Sequence, residues 1–216
     1  MDFLTPPEMR LTLRVLAKLL GYPSAELRAH LPDLREALAG ERALGSARRA
    51  ELEALIESLA RTPALDVEAA YVELFDRGRS TSLHLFEHVH GDSRDRGPAM
   101  VDLAQTYEKA GLYLAPHELP DYLPVVLEYA STQPPREARA FLAEMVHILQ
   151  AIFSALQQRG SAYASVLGAL VELAGEKAHA VKVVADEPID DSWAEPAAFD
   201  GCSAKGQSRP GELQPV

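Results

Sequence analysis

Residues 136–160 read "REARAFLAEMVHILQAIFSALQQRG". Wound as a helix, this run carries apolar side chains over most of its circumference, the mark of a helix packed on several sides. The whole chain agrees with that reading. Nearly half of the 216 residues are apolar, aromatics are few and Ala and Leu dominate, the balance of a packed helical protein. Downstream, "SAYASVLGALVELAGEKAHAVKVVA" at 161–185 supplies a last, partly buried helix. Upstream, "ELPDYLPVVLEYAST" places Leu123, Val126, Leu127 and Ala130 on one face, with Pro120 and Pro124 fitting its first turn.

Nearer the N-terminus, "PPEMRLTLRVLAKLL" spaces Met9, Leu13, Leu16 and Leu20 as a helix face between leading prolines and Gly21. A second helix opens with Ser24 as cap, closes at Gly40 and is bent or split by Pro32. A third follows Ser46, and a fourth sets Leu65, Ala69, Val72 and Phe75 at helical spacing. "PAMVDLAQTYEKAG" aligns Met100, Leu103, Tyr107 and Ala110 between Pro98 and Gly111. The expected fold is all-α, a single-domain bundle of about eight to ten helices spanning 1–185.

From residue 186 the pattern dissolves. Seven acids against two bases give residues 186–216 a charge of −5 out of the total −11, together with four prolines and three glycines. Such a segment cannot bury a core and is expected to be disordered. Trp193 and Phe199 are its exceptions, since a lone aromatic in an acidic tail can dock into a groove. The acidic balance, with no basic stripe, argues against nucleic acid and against anionic lipid. The opening "MDFLTPPEMR" lacks a basic region followed by an apolar run, so no signal peptide is expected. No stretch approaches the roughly 20 apolar residues of a membrane span. With Cys202 the only cysteine, neither an internal disulfide nor a cysteine metal cage is available, and a reducing cytoplasm is the natural setting.

Three chemistries compete for "LFEHVHGDSRDRGPAMVDL" at 85–103. His84 and His88 at i, i+4 would share a helix face, with His90, Asp92 and Asp95 as further donors for a metal-dependent hydrolase. The bland reading makes them solvated or capping histidines at a helix end. "GDS" at 91–93 matches the nucleophile block of one esterase class. Its flanks here are helical, however, and no histidine has an aspartate three positions before it; Ser93 as a helix cap explains the same letters. The third reading is a charged turn: Gly91 and Gly97 supply backbone freedom, while Asp92 or Asp95 caps the coming helix and pairs with Arg94 or Arg96. A solvated loop with weak surface ion pairs is its plain counterpart.

"YVELFDRGRSTSLHLFEHVHGDSRDRGPAMVDL" followed by "ELPDYLPVVLEY" closely resembles the NarJ family, the molybdenum cofactor assembly chaperones of respiratory nitrate reductase, related to the TorD and DmsD type of redox enzyme maturation chaperone. The likeness is strong over 71–129 and weak at "LLGYP" and "DDSWAEPAAFDGC". His84 departs from it, standing where an apolar or aromatic residue is expected. The resemblance implies a helical cytoplasmic protein with neither catalytic activity nor a cofactor of its own. It implies binding of the N-terminal peptide of the apo catalytic (alpha) subunit, so that molybdenum cofactor can be inserted and membrane docking is delayed. Molybdenum cofactor biosynthesis proteins are a further implied partner. Within the region of likeness, the expected groove lies between the two helices flanking "GLYLAPHELPDYLP". Phe86, His88, His90, Met100, Leu103, Tyr107, Pro120, Tyr122 and Pro124 offer it contacts, and Glu118 and Asp121 meet basic groups at the rim. For Met100, Leu103 and Tyr107, plain core packing is the competing account. His88 and His90 are expected to make affinity vary between about pH 6 and 8.

Overall fold

A computed structural model describes residues 7–91 and 93–181. Contacts divide the chain into Met1–Ala185 and Asp186–Val216; the expected acidic tail, with Trp193 and Phe199, lies outside the described residues. Those residues form eleven α-helices and a 3-10 turn at Arg79–Thr81. The helices are α1 Arg10–Leu20, α2 Ala25–Ala29, α3 Leu31–Glu41, α4 Ser46–Arg61, α5 Ala64–Phe75, α6 Leu85–Val89, α7 Arg96–Lys109, α8 Leu123–Thr132, α9 Pro135–Glu144, α10 Val146–Gln158 and α11 Ala164–Ala174. The fold is all-α, as the composition predicts. Two breaks raise the helix number above the expected one: His30 separates α2 from α3 beside Pro32, and Met145 separates α9 from α10.

α11 occupies the middle of the bundle, packing on α1, α4, α9 and α10. Gly168 leaves room there for the Arg48 guanidinium to cross α11 and reach Glu172 at 2.9 Å. The helix stops at Ala174, earlier than its apolar pattern suggests, because Gly175 turns the chain at φ +98°. Beyond it the chain runs back along α10, where Gln150 donates to the His179 carbonyl and the Val181 N–H donates to Ser154 Oγ at 2.9 Å.

α1 packs chiefly against α8. Its start is Arg10 rather than the prolines at 6 and 7, and Met9 offers no side-chain cap. The capping acceptor comes from elsewhere: the Glu41 carboxylate at the end of α3 accepts the Leu11 N–H at 2.8 Å and the Thr12 N–H at 2.6 Å, satisfying donors every helix start leaves open. This pins α3 to α1 and fixes one wall of the region described next. No single described helix is long and apolar enough to cross a membrane; α9 and α10 reach that length and apolar character only as a pair bent by 68°.

Candidate functional site

The two segments that carry the strongest sequence signal are tied together by backbone. His84 and Tyr122 form an isolated antiparallel bridge, in which the Leu85 N–H donates to the Asp121 carbonyl at 3.0 Å and the Leu123 N–H donates to the Leu83 carbonyl at 2.8 Å. This draws Asp121 inside, to 0% exposure. Its Oδ2 accepts the Phe86 N–H at 3.1 Å, capping α6 from a distant segment, and lies 3.8 Å from Arg96 Nη2. Its Oδ1 lies 3.5 Å from His84 Nδ1. The Asp121 carboxylate beside it raises the His84 pKa above the ordinary histidine value, against the lowering effect of burial.

The surrounding groups join the same knot. Arg96 also approaches Glu87 at 3.6 Å, Glu87 accepts from Ser82 Oγ at 2.5 Å, and His88 Nε2 donates to the Ser82 carbonyl at 2.8 Å. The Tyr107 hydroxyl donates to the Pro120 carbonyl at 2.8 Å, and burial pushes its pKa up.

These contacts correct several expectations. Asp121 is no rim carboxylate: the bridge buries it, and its two oxygens serve α6, Arg96 and His84. Tyr107, Pro120 and Pro124 are buried, while Met100 and Leu103 are half-buried on α7. In the charged turn, Gly91 does take a left-handed φ of +51°, but Gly97 lies within the first turn of α7 at a negative φ. Asp95 occupies the cap position without capping through its side chain; it accepts from Ser93 Oγ at 3.1 Å. Arg96 pairs across the fold instead of within the turn, Arg94 is exposed, and Asp92 lies outside the described residues.

The metal reading loses its premise as well. His84 precedes α6 with extended backbone, φ −88° and ψ 103°, so His84 and His88 share no helix face. His90 stands edge-on to the Phe86 ring at 5.4 Å. Among the described residues no group of three or more His, Cys, Asp or Glu side chains is placed to hold a metal ion.

Two adjoining hollows open on the other side of the 110–122 loop. One, of about 390 Å³, lies between α1, α8 and the loop, over Tyr107, Leu112, Leu114 and Tyr129. The other, of about 660 Å³, lies between the end of α1, the α2–α3 corner and the start of α8, and is lined by Tyr22, Leu27, Leu34, Tyr122 and Pro124. Lys18, Glu118, Val125 and Glu128 line both. Tyr113 at the first and Tyr22 at the second are 81% and 48% exposed, large aromatic faces left in water beside a concave surface. Glu26, Asp33, Glu118 and Glu128 outnumber Lys18 in the larger hollow, giving it an acidic edge. Such an arrangement suits an apolar segment that carries positive charge.

Of the residues expected at a groove, Tyr107, Glu118, Tyr122 and Pro124 come together here; Phe86, His88, His90, Met100, Leu103, Pro120 and Asp121 line neither hollow. The α1 and α2–α3 walls were not foreseen. Only "LLGYP" hinted at them, since its Gly21 and Tyr22 line the larger hollow.

The described residues thus form an all-α bundle with a concave, acidic-edged surface. A solved structure described as a redox enzyme maturation protein from Archaeoglobus fulgidus superposes over 82% of this chain and 99% of its own at a TM-score of 0.55, with 19% identity, a likeness of fold. The chain belongs to the nitrate reductase delta subunit family, whose model matches residues 23–168. It is 44% identical over 191 residues to the Escherichia coli (strain K12) protein named nitrate reductase molybdenum cofactor assembly chaperone NarJ, covering 87% of this chain and 80% of that one. A Bacillus subtilis (strain 168) protein named as a probable chaperone of the same kind is 33% identical over 76% of this chain and 88% of its own.

Proposed function

We propose that the protein is a non-catalytic chaperone whose two adjoining hollows bind the N-terminal peptide of the apo catalytic subunit of a nitrate reductase. While bound, it keeps the subunit open to molybdenum cofactor insertion, with the cofactor biosynthesis proteins as further partners, and delays docking to the membrane. The observation that carries this reading is the pair of adjoining hollows across α1 and α8, where Tyr22 and Tyr113 remain exposed and Glu118 and Glu128 edge the opening.

The energetics fit a reversible complex. Each apolar anchor buried is worth ~1.5–3 kcal/mol. Anchors of this size, less the cost of association and of ordering the peptide, leave a complex that can dissociate. A client held this loosely can be released once complete.

Fluorescence anisotropy with a labelled client N-terminal peptide tests the reading. Tyr113→Ser combined with Glu118→Gln removes an exposed anchor and a charge while keeping the acceptor that Glu118 Oε2 presents to the Ala115 N–H at 2.9 Å. Affinity is expected to fall about tenfold with an unchanged circular dichroism spectrum; unaltered affinity rejects the groove.

A further inference from the structure

Lys18, Glu118 and Glu128 are the charged groups common to both hollows, and of these Lys18 and Glu128 face each other. Lys18, in the last turn of α1, places Nζ 3.4 Å from Glu128 Oε1 on α8, with the two side chains 63% and 56% exposed. The pair therefore stands at the seam where one hollow meets the other, reachable by solvent and by a ligand. The other cation lining the smaller hollow, Arg14, has its Nε directed to Ser131 Oγ at 3.3 Å. Glu118 likewise has one carboxylate oxygen engaged by the Ala115 N–H.

We propose that Lys18 is the groove's own stand-in for the client's positive charge: it occupies Glu128 in the free protein, and an arginine of the bound peptide displaces it. This rests on the function proposed above and specifies how the same site selects its client. Exposed ion pairs hold by no more than about a fivefold factor, so the contact opens readily. An arginine meets a carboxylate through two parallel N–H···O bonds, whereas the lysine offers a single point charge on a flexible stem. The exchange thus favours an arginine-bearing peptide. It also moves the Lys18 stem from the seam, so that a peptide can run from one hollow into the other. A peptide without a cation gains nothing at Glu128 and leaves the ion pair in place.

Anisotropy titrations test the exchange with two probes: the labelled client N-terminal peptide carrying arginine, and the same peptide with its basic residues replaced by glutamine. The proteins are the full chain and its Lys18→Met, Glu128→Gln and doubly substituted forms. Methionine keeps the aliphatic stem and removes the charge. Lys18→Met should bind the arginine peptide about three- to fivefold more tightly than wild type at low salt, and the gain should shrink as salt rises. The glutamine peptide should show no gain, and in the Glu128→Gln background Lys18→Met should have no effect. Equal or weaker binding of the arginine peptide by Lys18→Met overturns the exchange and leaves the chaperone reading standing. Equal tightening of both peptides also overturns it, since that reports only a greasier surface. No binding of either peptide by wild type or Lys18→Met rejects the groove and the exchange together. Because the pair is exposed, unchanged melting temperatures are expected for all variants.

Discussion

α11 and α7 differ by only three residues in length, yet nine of the eleven residues of α11 are buried and only Tyr107 of the fourteen in α7 is. The first helix is held from several sides by apolar surface that has no preferred direction. α7 is held by directional contacts at a few points: Arg96 to Asp121 and Glu87, and the Tyr107 hydroxyl to Pro120. Surface burial makes α11 part of one cooperative core. Point attachment gives the α6–α7 flank and the 110–122 loop a separate set of restraints. That loop is also a wall of the groove, so the local stability of the flank and the shape of the site are linked through residues 120–122.

The sharpest way to break this contrast is in the core. Leu170 is fully buried on α11, and Leu170→Ala is expected to cost ~2–5 kcal/mol, lowering the urea midpoint of the whole domain in a single transition. A loss confined to part of the molecule would show that α11 does not unite it. On the flank, Asp121→Ala removes the acceptor of the Phe86 N–H and the buried counter-charge of Arg96, an expected ~1–3 kcal/mol. Faster amide exchange should appear at Leu85, Phe86 and Leu123 while α10 and α11 keep their protection. Asp121→Asn, which retains an acceptor for Phe86, should restore much of the protection at that amide. Uniform acceleration over the whole chain would erase the distinction between flank and core.

The smallest effect concerns His84. Its raised pKa means that the imidazolium is favoured in the folded state by Asp121 and Glu87, with Arg96 opposing. The stabilisation is therefore fully present below the ordinary histidine value of about 6.5 and is lost as pH rises through the raised folded value. Compared with His84→Gln, the wild type should gain stability at about pH 5.5 and lose that advantage in alkaline buffer. A difference that is flat with pH, or that grows upward, contradicts the His84–Asp121 contact.

Several of these features were legible in the letters. Apolar spacing located α1, α5, α7, α8 and α11, Ser46 marked the start of α4, and the long resemblance over 71–129 marked the part of the chain that supplies the bridge and the loop. The break at Met145 was not legible, since no Gly or Pro stands between Pro135 and Gly160; α9 packs toward α8 and α11 while α10 packs on α11, and the two directions cannot be met by one straight helix. Nor could spacing distinguish Asp121 from Glu118. Both flank Pro120 in the same short loop, but one is sealed by the bridge and the other is exposed. Glu41 as the cap of α1 was equally invisible, because its partners lie about thirty residues away.

What the sequence determined by itself was the class of structure and the family, because helical periodicity and a long ordered match are properties of neighbouring residues. The tertiary structure alone decided which acids face solvent and which hold the fold, and that α1 rather than α7 stands across from α8 at the groove. Burial and charge pairing depend on groups brought together from distant parts of the chain. The letters name the carboxylates, and only the packing assigns each its partner.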